Sequence, residues 1–128
     1  MRASSRLSKQ GRLSQEGLAL EYVMVAGTAE VREGELLPVE AKGIKLLLTK
    51  VDGSYYATQR KCPHLGFNLC RGKVEDRAVV CPLHKARFDL ATGAVEQDAR
   101  LLFIDMKVKR NLQTYPVQVN GYDVMVGV

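Results

Sequence analysis

Histidine is nearly absent from this chain, with two in 128 residues. Cysteine is scarce as well: three residues, an odd number that argues against a disulfide framework. No apolar run approaches the roughly 20 residues needed to cross a bilayer, and the N-terminus lacks the apolar centre of a secretory signal. Helical periodicity of useful length is missing too. These absences point away from a disulfide-stapled secreted module, a membrane helix or a helical bundle. What remains is a soluble, intracellular chain, 46% apolar and 26% charged, of a size for one small core.

Acidic residues are almost missing from the first twenty positions, where Arg2, Arg6, Lys9 and Arg12 face Glu16 alone. That segment supplies +3 of the net +5. The charge excess is therefore expected in a basic, flexible extension over 1–18 rather than on the body of the single domain at 19–128. An organelle-targeting peptide or a partner-docking tail is the other use of such a segment. Basic residues do not interleave with aromatic ones and no recognition motif is present, which excludes nucleic acid as a partner.

Strand signals dominate from residue 19 onward. Segments 19–26, 36–41, 44–50 and 55–58 are short and apolar-rich, and Asp52-Gly53 marks a two-residue hairpin turn. A second hairpin is expected over 72–80, turning near Glu75-Asp76. A third joins 113–119 to 122–126 through Asn120-Gly121, the best type I′ chemistry in the chain. The stretch 98–108 reads equally as helix or strand. The fold class expected is all-β, an antiparallel sandwich or barrel.

Both histidines and two of the cysteines fall into one pattern: Cys62-Pro63-His64, then Cys81-Pro82-Leu83-His84. Each pair follows the end of an expected strand. Proline beside each cysteine stops the ladder and stiffens the loop tip. Two such tips brought together by the intervening hairpin would bracket one buried metal. Tetrahedral zinc takes two thiolates and two imidazoles readily, but zinc fingers pair Cys with Cys and His with His along the chain. The mixed order suits a two-iron, two-sulfide centre in which one iron takes the thiolates and the other the imidazoles. Cys70 is left over and is assigned no role.

The runs Cys62–Gly66 (CPHLG) and Cys81–Gly93 (CPLHKARFDLATG) resemble the Rieske signature, and Val51–Tyr56 and Tyr115–Val117 resemble the flanking strands of Rieske-type ferredoxins. The resemblance covers roughly 20–128. It implies a Rieske fold: an antiparallel β-sandwich base carrying a small cluster-binding subdomain of two loops at about 60–93. It also implies a Rieske 2Fe-2S cofactor, with Cys62 and Cys81 on the inner iron and His64 and His84 on the outer one. Neutral imidazoles in place of two thiolates remove two negative charges, so such clusters are easier to reduce than all-cysteine ones.

The cluster environment expected from the motif is Leu65, Gly66, Phe67, Leu83, Lys85, Ala86, Arg87 and Phe88, with Leu65, Phe67, Leu69, Leu83 and Phe88 as apolar packing. High-potential family members carry extra, disulfide-bonded cysteines where Phe67 and Leu83 stand here. They also place serine and tyrosine hydroxyls near the cluster, at the positions of Ala86 and Phe88. A hydrogen bond to a charged group is worth roughly 1.5–3 kcal/mol, and about 1.4 kcal/mol is roughly 59 mV for one electron. Losing both donors therefore implies a potential near the low end of the range, around −150 mV. Lys85 and Arg87 would offset part of that loss. Lys85 also occupies a place where glycine is common in the family, which matters if that position requires positive φ.

The function implied is electron transfer from a flavin-containing reductase to a terminal oxygenase or another redox enzyme, without membrane or nucleic acid. The chain itself is expected to be a carrier and not an enzyme. An oxygenase centre needs two further histidines and a carboxylate, and no histidine remains. The small Rieske subunit of a larger oxidoreductase such as nitrite reductase is one alternative; a structural zinc module is another. The segment 98–111, longer than in comparable family members, reads as a docking insertion or merely a long loop.

Overall fold

Leu46, Leu47 and Leu48 are consecutive and all fully buried, which only a strand covered on both faces allows. Successive side chains of a strand point to opposite faces, and this run divides accordingly. Leu46 and Leu48 enter one apolar core with Val39, Ala57, Val124 and Val126. Leu47 enters a second with Leu69, Phe88, Leu90 and the two cysteines Cys62 and Cys81. One strand thus joins the base of the molecule to its loop-bearing part.

The computed structural model describes residues 20–63, 66–82, 85–101, 104–106, 108 and 110–128. The expected extension over 1–18 and the residues His64, Leu65, Leu83 and His84 lie outside the described residues. The strands are β1 (Tyr22–Gly27), β2 (Leu37–Ala41), β3 (Ile44–Val51), β4 (Ser54–Gln59), β5 (Lys73–Glu75), β6 (Ala78–Val80) and β7 (Arg87–Asp89). They continue with β8 (Val95–Gln97), β9 (Ala99–Leu101), β10 (Ile104–Met106), β11 (Thr114–Tyr115), β12 (Val117–Asn120) and β13 (Asp123–Gly127). All pairings between them are antiparallel.

Two sheets form the base, ordered β1-β13-β12 and β11-β4-β3-β2. They enclose the core of Leu46, Leu48, Val124 and Val126, each such side chain contributing about 1.5–3 kcal/mol by leaving water. A third sheet, β5-β6-β7-β8, carries the second cysteine loop, and β9 pairs with β10. The pairing of Ile104 with Leu101 and of Met106 with Ala99 shows that the described part of the ambiguous stretch 98–108 is extended, two antiparallel strands and not a helix. Among the described residues no helix is long and apolar enough to cross a membrane.

Asp52 and Gly53 have φ of 51° and 82°, the two positive values of a type I′ turn. Lys42 and Gly43 repeat this at 52° and 78°. The third hairpin differs from expectation. Asn120 stays in the ladder opposite Asp123, so the connection is Gly121-Tyr122, and of these Gly121 has a positive φ, 64°. One extra rung of pairing moves the turn along by a residue, giving the pattern of type II′, with glycine first.

Candidate metal centre

Both cysteine loops are six-residue turns closed in the same way. Cys62 N–H donates to the Phe67 carbonyl at 2.7 Å, and Cys81 N–H donates to the Ala86 carbonyl at 2.8 Å. The fifth residue of each turn is left-handed: Gly66 at φ 78° and Lys85 at φ 63°. The positive φ at Lys85 shows that this position imposes a glycine-like conformation on a lysine. The Lys85 carbonyl is held by the Gln97 side-chain amide, which donates to it at 3.2 Å.

Different elements present the two turns. The second is the connection between β6 and β7, where Val80 pairs with Arg87. The first follows β4 and is closed by a bridge between Lys61 and Asn68. Arg60 anchors its root to the base: its guanidinium donates to the Leu46 carbonyl at 3.0 Å and the Val39 carbonyl at 2.5 Å. Gly72 lets the two loops approach, because a Cβ there would stand 1.9 Å from the Val80 carbonyl oxygen. The sequence reading missed both Arg60 and Gly72. The tie from Arg60 spans 21 and 14 residues, so only pairing at long range reveals it.

Cys62 and Cys81 are 3% and 2% exposed and belong to one apolar cluster with Leu69, Ala86 and Phe88. No disulfide joins any of the three cysteines. Two buried thiols in one apolar cluster, each at the start of a matched turn, are a donor set that fits an iron–sulfur centre, with the imidazoles of His64 and His84 as the remaining donors named by the sequence. Among the described residues, no group of three or more His, Cys, Asp and Glu side chains is placed to hold a metal ion. Burial pushes the Cys70 thiol up, with Arg60 opposing.

The expected cluster environment divides. Ala86 and Phe88 are fully buried beside the cysteines and bring no hydroxyl. Gly66 and Lys85 are exposed at the turn corners. Phe67 is 38% exposed, so it stands at the surface rather than in the apolar packing. Arg87 is directed to carboxylates: it contacts Glu75 and lies 3.8 Å from Glu96. Its guanidinium is thus shared between two carboxylates beside the second turn. The Glu75 carboxyl is held below its ordinary range first by Lys73 and then by Arg87.

The tail of the motif, Asp89 to Gly93, is structural. The Asp89 carboxylate accepts from the Thr92 N–H at 2.8 Å and the Thr92 hydroxyl at 2.9 Å. Gly93 N–H returns to the Asp89 carbonyl at 2.7 Å. Gly93 has φ 79°, and a Cβ there would meet the Leu112 carbonyl oxygen at 1.9 Å. Burial alone would raise the Asp89 carboxyl, but the Thr92 N–H and hydroxyl, Arg77 and the Ala91 N–H together bring it below its ordinary value.

The Rieske [2Fe-2S] domain family model matches residues 21–116. The naphthalene 1,2-dioxygenase system ferredoxin component of Pseudomonas aeruginosa is 37% identical over 83% of this chain and 94% of its own length. The ferredoxin of carbazole 1,9a-dioxygenase from Nocardioides aromaticivorans IC177 superposes with a TM-score of 0.70 at 25% identity, over 82% of this chain and 95% of that one. The terminal oxygenase of carbazole 1,9a-dioxygenase from Novosphingobium sp. KA1 gives a TM-score of 0.74 at 27% identity. That match spans 84% of this chain but 29% of the oxygenase.

Proposed function

Because the chain belongs to the Rieske [2Fe-2S] domain family, we propose that it is the ferredoxin of a ring-hydroxylating dioxygenase system, passing single electrons from a flavin-containing reductase to the terminal oxygenase. The cofactor is a Rieske-type 2Fe-2S cluster, and the chain is an electron carrier rather than an enzyme. The observation that carries the reading is the pair of matched turns, each beginning with a buried cysteine of one apolar cluster.

Cys62 and Cys81 would hold one iron of the cluster and His64 and His84 the other. The cluster supplies a one-electron couple. The chain's own residues keep water from the thiolates (Leu69, Ala86 and Phe88), fix the second turn (Gln97) and fasten the first to the base (Arg60). A cytoplasmic location is supported by three cysteines without a disulfide, the usual state of thiols in a reducing compartment.

Anaerobic reduction with dithionite tests the cofactor. The expected result is a red-brown protein whose reduced form gives the EPR signal of a two-iron cluster with mixed ligands. A colourless protein carrying stoichiometric zinc overturns it. Reconstitution with a dioxygenase reductase and oxygenase tests the partners: aromatic substrate is hydroxylated only when this chain is present. Electron delivery to nitrite reductase and not to the oxygenase would place it instead as a subunit of that enzyme.

A further inference from the structure

The net charge of the folded chain conceals two regions of opposite sign. Residues 60–88, which contain both cysteine loops, hold seven Lys and Arg against two acidic residues, a net of +5, although Arg77 and Arg87 also face Asp89 and Glu96 just beyond this span. The remaining folded chain, 21–59 and 89–128, is net −3. Most of the net excess does lie in the first twenty residues, +3 of +5, but the small net charge of the body does not mean that it lacks a basic face. The small total of residues 21–128 is a cancellation, not an absence of a basic face.

That charge surrounds the loops in space as well as in sequence. Arg71, Lys73 and Lys85 line a cleft that reaches Cys81 and Pro82. Lys45, Arg60 and Lys61 line a second cleft that reaches Gly66 in the first loop. Two of these six are partnered: Lys73 pairs with Glu75 at 2.8 Å, and Arg60 is committed to backbone carbonyls. Lys45, Lys61, Arg71 and Lys85 are exposed and make no ion pair with a described carboxylate.

We infer that the loop end is a positively charged docking face, and that the oxygenase meets it with an acidic surface at the point of electron entry. The inference rests on the electron-carrier reading above and adds the sign of the interface. Exposed charges act over about 8 Å at physiological salt. Cations ringing both loops are therefore felt by a partner only when it approaches the end through which the electron leaves. Such a field raises association rates by roughly 10- to 1,000-fold for an oppositely charged partner and depresses them for a like-charged one.

Two outer-sphere oxidants of opposite charge read this field directly. In each reaction one electron passes from the reduced protein, converting ferricyanide to ferrocyanide or tris(phenanthroline)cobalt(III) to its cobalt(II) form. Between about 10 and 300 mM salt, the ferricyanide rate is expected to fall roughly tenfold or more and the cobalt rate to rise. Lys61→Glu, Arg71→Glu and Lys85→Glu each slow ferricyanide and speed the cobalt complex. A change in midpoint potential alone would move both rates the same way. Arg32→Glu changes the net charge equally and leaves both rates in place, because the adjoining Glu33 bridges to Lys50, the far end of β3 from Lys45.

Retention on a cation exchanger supplies a readout independent of the cluster. With or without iron, Lys61→Glu and Lys85→Glu are expected to lose more retention than Arg32→Glu. Equal losses, together with oxidant rates indifferent to the loop-end substitutions, overturn the inference. So does release from duplex DNA by these substitutions with both rates unmoved, which would make the face a polyanion site. A protein without the two-iron EPR signal defeats the electron-carrier reading instead, and leaves the retention comparison to decide the patch.

Discussion

The loop at 62–67 and the loop at 81–86 share one backbone plan but are supported differently. Each begins with a buried cysteine, turns through a left-handed fifth residue and closes on the cysteine N–H. The first grows from irregular chain and needs a guanidinium tie from Arg60 to the base. The second caps a regular ladder between β6 and β7. A left-handed non-glycine residue costs roughly 1–2 kcal/mol, and it occurs in the loop whose ends are fixed by strand pairing. The surroundings over-determine Lys85, so the strain persists. In the first loop, closed by the Lys61–Asn68 bridge and by the Gly66 N–H donating to the Cys62 carbonyl, the residue is glycine.

The largest test of this equivalence removes one thiol at a time. Cys62→Ser and Cys81→Ser are each expected to abolish the visible absorption and the EPR signal, with less than about a tenth of the iron retained. Loss from one variant and retention in the other would show that the loops do not contribute equally to one centre.

A smaller effect separates the loops by their surroundings. Ala86 and Phe88 belong to the second loop and its strand, and both are fully buried beside the cysteines. Restoring hydroxyls with Ala86→Ser and Phe88→Tyr together is expected to raise the midpoint by on the order of 100 mV, from a starting value around −150 mV. Phe67→Tyr, at the exposed corner of the first loop, leaves it unmoved. Protein-film voltammetry decides; a parent midpoint above about +100 mV would show that the missing hydroxyls do not set the potential.

Acid tests the turn that follows the second loop. Asp89 has a carboxyl lowered in the folded state by the Thr92 N–H and hydroxyl, Arg77 and the Ala91 N–H, against the opposing effect of burial. The unfolded chain then binds the proton more readily. The stabilisation is complete above the unfolded value of about 3.9 and is lost as pH falls through the lower folded value. Denaturant midpoints of the iron-free protein are expected to drop below about pH 4, and Asp89→Asn is expected to flatten that decline. An unchanged acid limb would remove Asp89 from the account.

What could be read in advance was local. The order of Cys and His along the chain, the leucine run of β3 and the Asp52-Gly53 turn each depend on neighbouring residues alone. Strands β7 and β8 are three residues each, too short for alternation to register, and they exist because β6 offers an edge. The Lys42-Gly43 turn escaped notice because lysine carries no turn signal, although its φ is 52°. The basic face escaped for another reason. Summed over 21–128, charges of opposite sign cancel, and only the clefts beside Cys81 and Gly66 show where the positive ones gather.

The smallest and most direct comparison exchanges the two corner residues. Gly66→Ala places a Cβ in the left-handed region, where no described residue lies within 4 Å to clash with it, so the cost is conformational, about 1 kcal/mol. Lys85→Gly removes the same strain from the second loop and is expected to stabilise by up to about 1 kcal/mol, reduced by the greater freedom of glycine in the unfolded chain. The double variant should return close to the parent, since the two corners lie in separate turns. Denaturant midpoints of the iron-free protein measure all three. If Lys85→Gly destabilises, the gain from relieving φ is smaller than the entropy glycine adds to the unfolded chain, and the two loops are not equivalent in energy although they are in form.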